Sequence, residues 1–437
     1  EGLQEVGGFM LDIKVIREDP VSVRNNLARR NDPKILELFD ELIELDKEWR
    51  KAFNEVGNLR GKRNRITEEI ARMKKQGLDV SERIREAEQI PAEIKSLESK
   101  METHRTKMDQ ILMRLPNMMD DSVPYGRDES ENVVVRTWGE PRKFDFVPKD
   151  HIDLATSLDL VDLERGAKVA GARFYYLKND LVRLNYALIR YGLDFLVGRG
   201  FTPFQPPYMM KKEVLAGAVS LSDFEDTIYK IEGEDLYLIA TSEHALLGLH
   251  AGEILEGRKL PLRYCGVSPC FRKEAGAHGR DTKGIFRVHQ FEKVEQFVFS
   301  RPEDSTAEHE LLIRNAEEFF QSLGLPYRVV NVCSGDLGTV AAKKYDLEAW
   351  LPGQGKYREE VSCSNCTSYQ AVRANIRYRD RPNEPTKYVH TLNSTLVATE
   401  RALVAILENY QNPDGSVEVP TVLIPYMQGK EKLEPRV

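Results

Sequence analysis

Two stretches of regularly spaced apolar residues constrain the fold of this chain more than any other feature. One covers residues 35–73 and the other covers residues 90–115, and charged residues fill the positions between the apolar ones. Apolar side chains spaced three and four apart form a seam along which one helix packs against another. The short break between the stretches contains Gly77, which can end a helix, and Ser81, which can cap the next. The pattern predicts an antiparallel helical hairpin over about residues 34–115, on the order of 60 Å long.

Basic residues concentrate in the half of this hairpin that adjoins the turn. They are Arg60, Lys62, Arg63, Arg65, Arg72, Lys74, Lys75, Arg83 and Arg85. The whole chain has a net charge of -7, but a local basic surface is enough for contacts to phosphate groups. The hairpin is therefore interpreted either as a coiled coil that serves as a dimerisation element or spacer, or as an arm that grips RNA. The pattern alone leaves both interpretations open.

After the hairpin, the pattern of apolar and polar residues changes. Residues 116–132 are rich in Pro, Asp, Asn and Gly, as expected of a linker. After them, helical spacing is found over 181–197 and 396–410, and strand-like runs over 236–239, 286–299 and 327–330. Because the two kinds of segment do not alternate regularly, an α+β domain around an antiparallel sheet is predicted. Neither a P-loop nor a convincing Gly-x-Gly-x-x-Gly motif is present, so a bound ATP would need another kind of site.

The number of cysteines and the lack of targeting segments indicate the cellular compartment of the protein. The chain has 5 cysteines in 437 residues, with no secretory signal and no apolar run that could span a bilayer, so a cytoplasmic protein with no membrane association is expected. Cys363-x-x-Cys366 could be joined to Cys265 and Cys270 in a zinc site, but the loose spacing favours packed free thiols. Residues 1–9 fit nothing that follows, and Met10 is hypothesised to be the natural start.

A polar pattern between Phe271 and Phe297 is the most informative part of the second half. Phe271-Arg272-Lys273-Glu274 and residues 286–297 are expected to be strands flanking a long polar loop. Strand alternation would place Arg287, His289, Phe291, Lys293 and Glu295 on one face. Such a face is costly in a core but suits the binding of an anion and a flat ring. The alternative is a solvated sheet face.

This stretch resembles motif 2 of the class II aminoacyl-tRNA synthetases, and residues 289–297, HQFEKVEQF, are similar to the form found in seryl-tRNA synthetases. Residues 200–207 after an amphipathic helix resemble motif 1, the dimer-forming element. Residues 391–410 resemble motif 3. Thr241-Ser242-Glu243 matches the serine-binding loop of that family, and residues 357–365 match its metal and ATP segment. The resemblance covers nearly the whole chain from Met10, with the motifs in the expected order.

The resemblance implies a fold and a set of partners. The fold would be α+β, a class II synthetase catalytic domain with an antiparallel sheet at 121–437. Before it would come an N-terminal tRNA-binding domain at 10–120, with the hairpin at about 34–115 as its coiled-coil arm. The enzyme would activate L-serine with ATP and Mg²⁺ and transfer it to the 3′ end of tRNA(Ser). A second tRNA substrate in the family is tRNA(Sec), and the assembly would be a homodimer.

The same resemblance assigns residues to the two substrates, with Arg272, Glu359 and Arg401 as the catalytic residues. Serine would contact Thr241, Ser242, Glu243, Arg272, Glu295, Asn393 and Thr395. ATP would contact Arg272, Lys273, Glu274, Arg287, Val288, Phe291, Glu359, Ser362 and Arg401. Mg²⁺ would be held by Glu359 and Ser362, whose hard oxygen atoms suit that ion. Many family members have serine where Thr395 stands, so the contact made by this side chain is open.

Two alternatives remain at this point. One is a different class II amino-acid-activating ligase, against which the hairpin and the Thr-Ser-Glu loop argue. The other is an RNA-binding or coiled-coil protein that descends from the enzyme and has lost catalysis. The presence of every activating residue named above argues against that loss.

Overall fold

A computed structural model describes residues 13–219, 227–275 and 284–434. The hypothesis that the natural chain starts at Met10 concerns residues outside this set, and so does most of the polar loop predicted between Phe271 and Phe286. The chain divides into two compact units. One consists of residues 19–28 and 32–115, and the other of the described parts of 1–18, 29–31 and 116–437. The predicted domain boundary at residue 120 stays a prediction.

The helices and strands are numbered here in chain order. The helices α1 to α12 are Ile13–Glu18, Pro20–Ala28, Pro33–Lys75, Ser81–Leu112, His151–Ser157, Leu163–Ala170, Asn179–Val197, Lys212–Ala218, Ser242–Gly248, Ser305–Ser322, Tyr369–Arg373 and Thr399–Asn409. The strands β1 to β17 are Val133–Trp138, Val161–Asp162, Tyr176–Leu177, Thr202–Phe204, Met209–Lys211, Leu236–Leu238, Ile254–Glu256, Leu262–Phe271, Gln290–Ser300, Tyr327–Asn331, Lys343–Leu351, Lys356–Asn365, Arg377–Arg379, Lys387–Tyr388, His390–Ala398, Val417–Glu418 and Lys432–Leu433.

Helices α3 and α4 form the predicted hairpin. Val56 and Ile66 of α3 pack with Ile90 and Ile94 of α4 in one buried apolar cluster. Side-chain contacts join the two helices along their length: His104 lies 3.3 Å from the Glu48 carboxylate, and Arg60 with Glu98 and Arg83 with Glu69 form ion pairs. Since the partner number falls as the α3 number rises, the helices run antiparallel. The prediction of a long helical hairpin is confirmed.

The turn of the hairpin differs in one detail from the prediction. Helix α3 ends at Lys75, and Gly77 follows with a φ of 71°, a conformation that favours glycine. Ser81, however, is the first residue of α4 and its side chain caps nothing. The carboxylate of Asp79 accepts hydrogen bonds from the backbone nitrogen and the hydroxyl of Ser81, at 3.0 and 2.6 Å. The prediction of Ser81 as the cap is therefore wrong, because the more strongly accepting carboxylate lies two residues earlier.

A mixed sheet forms the centre of the other unit. Within the described residues its eight strands lie in the order β1-β10-β11-β12-β15-β9-β8-β4. Every neighbouring pair is antiparallel except β4 and β8, which are parallel. Helices α7, α10 and α12 pack against this sheet and share its apolar core. The α+β class and the antiparallel character predicted from the sequence are confirmed.

Two predicted boundaries inside this unit are wrong. Strand β9 begins at Gln290, so Arg287 and His289 precede the strand and do not share its face by alternation. Residues 396–398 are the end of β15, and helix α12 begins only at Thr399. Ala398 pairs with Lys293 of β9. Apolar residues that pack in a sheet interior and those that start a buried helix look alike in sequence, which explains the second error.

In the parts of the chain that the structure describes, no helix is both long and apolar enough to cross a membrane. All five cysteines are buried and unpaired.

Candidate active site

A cavity of about 360 Å³ opens above the middle strands of the sheet. Strands β9, β12 and β15 supply much of its wall, and the segment after β8, the start of α9 and the start of α12 supply more. The cavity brings together ten of the residues that the sequence assigned to substrates. They are Thr241, Glu243, Arg272, Phe291, Glu295, Glu359, Ser362, Asn393, Thr395 and Arg401.

Five other assigned residues do not line this cavity. Ser242 is fully buried, and its hydroxyl donates to the carbonyl of Gly266 over 3.4 Å. Val288 belongs to the apolar core. Lys273, Glu274 and Arg287 lie on the segments that follow β8 and precede β9, where the Arg287 guanidinium is 3.0 Å from the Glu274 carboxylate.

A bulge in β12 explains how two consecutive acidic residues face the cavity. Along most of β11 and β12 the residues pair one to one, but Leu347 pairs with Val361 while Glu348 pairs with Glu359. Glu360 is the extra residue. Side chains normally alternate between the two faces of a strand, and a bulge interrupts this alternation. As a result Glu359, Glu360 and Ser362 all line the cavity.

Thr241 and Glu243 stand at the N-terminus of α9, at one end of the cavity. The Thr241 hydroxyl caps the helix by accepting from the Glu243 backbone nitrogen over 3.3 Å. The Gln370 amide donates to the Glu243 carboxylate over 2.7 Å and fixes its position. Burial, and next the charge of Glu295, raise the pKa of Glu243 to about 7. Gly266 allows this helix to approach β8, since a Cβ there would lie 2.5 Å from the Ser242 hydroxyl.

Glu295 lies deeper in the same end of the cavity. Only 1% of it is exposed, and its Oε2 is 2.6 Å from the Lys293 ammonium group. The Thr395 hydroxyl donates to the same Oε2 over 3.3 Å, because Thr395 of β15 pairs directly with Glu295 of β9. This arrangement presents a carboxylate acceptor in the wall of the cavity.

Two arginines stand in the remainder of the cavity. Arg272 donates to the Ala240 carbonyl over 3.2 Å and lies 5.2 Å from the ring centroid of Phe291. No carboxylate among the described residues pairs with Arg272, so its cationic fork is open to an anion from the cavity. Arg401 donates to the Glu359 carbonyl over 2.8 Å and lies 5.1 Å from the centroid of Phe286.

Glu359 and Ser362 offer two oxygen ligands on one wall. The Glu359 side chain is 46% exposed, and its carboxylate is 3.4 Å from Arg401. The cavity walls displace part of the water around Glu359, which acts to raise its pKa, but the charges of Arg401 and Lys344 outweigh this effect and hold the pKa below its usual value. An ionised carboxylate beside a hydroxyl fits a hard cation that takes its other ligands from phosphate and water. Across the described ranges, no cluster of three or more His, Cys, Asp or Glu side chains could hold a metal by itself.

Sequence reasoning missed several residues that line the cavity. They are His244, Lys293, Glu360, Ser364, Cys366 and Glu400. Phe286 was also missed, and its ring packs against the Arg401 guanidinium. Burial lowers the pKa of His244 to about 3 and raises that of Glu400 to about 7. Alternation along β12 from Ser362 could have found Ser364, and alternation along β9 placed Lys293 without giving it a role. The same alternation along β12 could have found Glu360, whereas the bulge that adds Glu359 to this wall has no signal in the sequence.

Comparison with protein families gives two matches that follow one another along the chain. Residues 10–119 match the seryl-tRNA synthetase N-terminal domain. Residues 226–410 match the tRNA synthetase class II core domain of the glycine, histidine, proline, serine and threonine enzymes. The two matches cover the hairpin and most of the cavity-bearing unit.

Whole-chain relatives agree with these matches. The serine–tRNA ligase of Methanocella arvoryzae is 56% identical over 97% of this chain and 100% of its own. The crystal structure of seryl-tRNA synthetase from Pyrococcus horikoshii complexed with ATP has a TM-score of 0.96 at 53% identity, and covers 98% of this chain and 100% of its own. The cytoplasmic serine–tRNA ligase of Naegleria fowleri in complex with AMP has a TM-score of 0.90 at 38% identity, over 99% and 100% of the two chains. The chain belongs to the seryl-tRNA synthetase family and is a class II serine–tRNA ligase.

Proposed function

We propose that the cavity joins L-serine to ATP as seryl-adenylate and that the same enzyme then transfers serine to the 3′ end of tRNA(Ser). The observation that carries this proposal is the meeting of Arg272 with Glu243 and Glu295 in one cavity. Serine has an anionic, a cationic and a hydroxyl end, and these three side chains complement them. The solved structures of two relatives hold ATP and AMP, which supports the nucleotide as the second substrate.

The first step needs positioning more than proton transfer. The carboxylate of serine is ionised at neutral pH and is the nucleophile that attacks the α-phosphorus of ATP and expels pyrophosphate. The Arg272 guanidinium would hold this carboxylate and the α-phosphate together, because a planar fork of donors can bind two anions at once. It also neutralises charge that grows in the transition state. No general base is therefore required of this cavity.

The nucleotide is proposed to lie along Phe291 and Arg401. The Phe291 ring would stack on one face of adenine and the Arg401 guanidinium would cover the other. Glu274 would accept a hydrogen bond from adenine, and Arg287, Lys273 and the backbone of Val288 would complete the nucleotide contacts. The assignments of Glu274, Arg287, Lys273 and Val288 rest on the family resemblance, because these residues do not line the cavity.

Mg²⁺ is the proposed metal of this reaction. Glu359 and Ser362 would hold it, and the residues present fit it, since one is an ionised carboxylate and the other a hydroxyl on the same strand. Bound there, the ion would neutralise charge on the α- and β-phosphates. Zinc is not part of the proposal.

The second step uses the same cavity. A ribose hydroxyl at the 3′ end of tRNA attacks the carbonyl carbon of seryl-adenylate, and AMP leaves. Charging purified total tRNA with each amino acid in turn tests the whole proposal. We expect serine alone to be attached, and attachment of another amino acid would point to a different class II ligase.

Changing Glu295 to glutamine should lower kcat/KM for serine in pyrophosphate exchange by about 100-fold. The buried Glu295 carboxylate is the proposed acceptor for the substrate hydroxyl, and an amide is a weaker acceptor that leaves Lys293 without its counter-charge. The exchange assay at varied serine concentration measures the effect, with thermal unfolding as the control for folding. A variant that is as active as the wild type would remove Glu295 from the serine site.

The pH dependence of kcat/KM for serine should follow the ionisation of Glu243. Since burial and the charge of Glu295 raise its pKa to about 7, Glu243 loses its negative charge as the pH falls below that value. A neutral carboxyl binds the serine ammonium group poorly, so kcat/KM for serine should rise with pH through about 7 and then level off.

Exchange assays at low serine concentration between about pH 5.5 and about pH 8.5 measure this profile. The Glu243→Gln variant should have a low kcat/KM for serine, and this value should not change with pH in this range. Glu400→Gln is the matched control, because Glu400 lines the same cavity and burial raises its pKa to about 7 as well. The rise of kcat/KM with pH should persist in the Glu400→Gln variant. Its loss in that variant would show that the titrating group is Glu400 and not Glu243.

The hairpin is proposed to bind tRNA, as part of an N-terminal tRNA-binding domain at 10–120 that precedes a catalytic domain at 121–437. Of the nine basic residues named above near the turn, six are exposed and have no ion-pair partner among the described residues: Arg63, Arg65, Arg72, Lys74, Lys75 and Arg85. They lie in the half nearest the turn, where they suit the phosphate backbone of helical RNA. A homodimer formed through the motif 1 element and a cytoplasmic location, which suits five free thiols, complete the proposal.

A further inference from the structure

Lys293 lines the cavity but has no part in the activation chemistry described above. It lies two residues before Glu295 on β9, and 5% of it is exposed. Its ammonium nitrogen is 2.6 Å from Glu295 Oε2, with both side chains almost completely buried. A buried lysine is costly unless a partner compensates its charge, and the same holds for a buried glutamate. Each side chain therefore depends on the other.

The charges at this end of the cavity indicate that Lys293 balances two carboxylates. Glu243 and Glu295 are both anionic when ionised, and each is close enough to act on the other, since the charge of Glu295 is one cause of the raised pKa of Glu243. Lys293 acts on Glu243 in the opposite direction. Without Lys293, two carboxylates would line one end of the cavity with Arg272 as the remaining cation that acts on Glu243, and such a space attracts cations.

The two carboxylate oxygen atoms of Glu295 also differ in their contacts. Lys293 and Thr395 both contact Oε2. Because Oε2 already has two partners, Oε1 is the oxygen that is better placed to accept from a substrate hydroxyl. The ion pair thus fixes the rotation of the carboxylate and selects the atom that meets the substrate.

We propose that Lys293 is a positioning residue that determines specificity, holding Glu295 as one half of a neutral pair so that the pocket accepts a hydroxyl and rejects an ammonium group. The inference rests on the proposed serine site and deepens it. A lone carboxylate would bind an amine at this place better than an alcohol, because the amine brings its own positive charge. With Lys293 present, that second cation is repelled.

The amine analogue of serine, L-2,3-diaminopropionate, is the probe that separates these cases. It differs from serine only in carrying an amino group in place of the hydroxyl. For the wild-type enzyme we expect kcat/KM in pyrophosphate exchange to favour serine by about 1,000-fold over this analogue. Lys293→Met should move this ratio toward the amine by at least about 100-fold, with a raised KM for serine, while Lys293→Arg should keep the preference for serine.

The control variant is Arg263→Met. Arg263 lies on the neighbouring strand β8 and forms an ion pair of 2.6 Å with Glu308, away from the cavity. Loss of that pair tests general destabilisation and should leave the ratio unchanged. If Lys293→Met does not fold, Lys293→Gln provides the same comparison.

An unchanged ratio in Lys293→Met or Lys293→Gln would overturn the inference even if activity falls, because loss of a merely structural lysine would weaken the use of both substrates alike. Failure of the wild-type enzyme to activate serine would instead overturn the proposed function, and the inference with it. The two failures are therefore distinguishable.

Discussion

Replacing Arg272 with alanine should lower serine-dependent pyrophosphate exchange by at least about 1,000-fold. Arg272 lines the cavity without a carboxylate partner among the described residues, and it is the cation proposed to bring the serine carboxylate to the α-phosphate. Two anions repel each other when nothing neutralises them, so the loss should fall mainly on kcat. Arg272→Lys keeps the charge but loses the planar fork, and about a 100-fold loss is expected.

Arg263→Met is again the matched control, since this arginine of β8 pairs with Glu308 outside the cavity. It should retain exchange activity within about twofold, as is usual for substitutions away from a site. Thermal unfolding of each variant separates lost chemistry from lost folding. An Arg272→Ala enzyme that exchanges pyrophosphate at the wild-type rate would disprove the proposed first step.

Shortening the hairpin should separate the two halves of the reaction. The variant lacks residues 61–97 and joins Arg60 to Glu98 through a short Gly-Ser turn, which is reasonable because these two side chains form an ion pair of 2.7 Å across the helices. Seryl-adenylate formation, measured by pyrophosphate exchange, should stay within about twofold. Charging of tRNA(Ser) at low concentration should fall by at least about 1,000-fold, because the exposed cations near the turn are removed with the arm.

Two charge variants of the full-length chain accompany this truncation. Neutralising Arg63, Arg65 and Lys74 together should weaken charging and reduce its dependence on salt, since fewer counterions are released on binding. Lys47→Gln is the control, because Lys47 belongs to α3 but pairs with Glu44 far from the turn. Full charging by the shortened enzyme would show that the hairpin is a spacer or dimerisation element.

The hairpin could be predicted from the sequence because its information is local and repeated. Apolar residues recur over many turns, so single errors such as the cap at Ser81 change only a boundary. The strands of the site were harder to predict. Residues 286–289 carry the same kind of residues as β9 but precede it, and Leu396 belongs to a strand although its neighbours suggest a helix.

The composition of the cavity could be predicted only in part, for a physical reason. Motif residues such as Arg272, Glu295 and Thr395 keep a fixed order along the chain, and the fold then brings them together. Contacts that depend on register are different. Glu359 and Glu360 face the cavity together only because β12 has a bulge, and the 2.6 Å pair between Lys293 and Glu295 depends on how deeply β9 is buried. A local sequence pattern predicts neither the depth at which a strand is buried nor the position of a bulge.

The most direct test of the account is a crystal structure of the full-length enzyme with a sulfamoyl analogue of seryl-adenylate. We expect the Arg272 guanidinium to hydrogen-bond both the seryl carbonyl and the sulfamoyl oxygens, with adenine against Phe291 and the serine hydroxyl on Glu295. An analogue bound elsewhere, or an Arg272 side chain that turns away from it, would contradict the account.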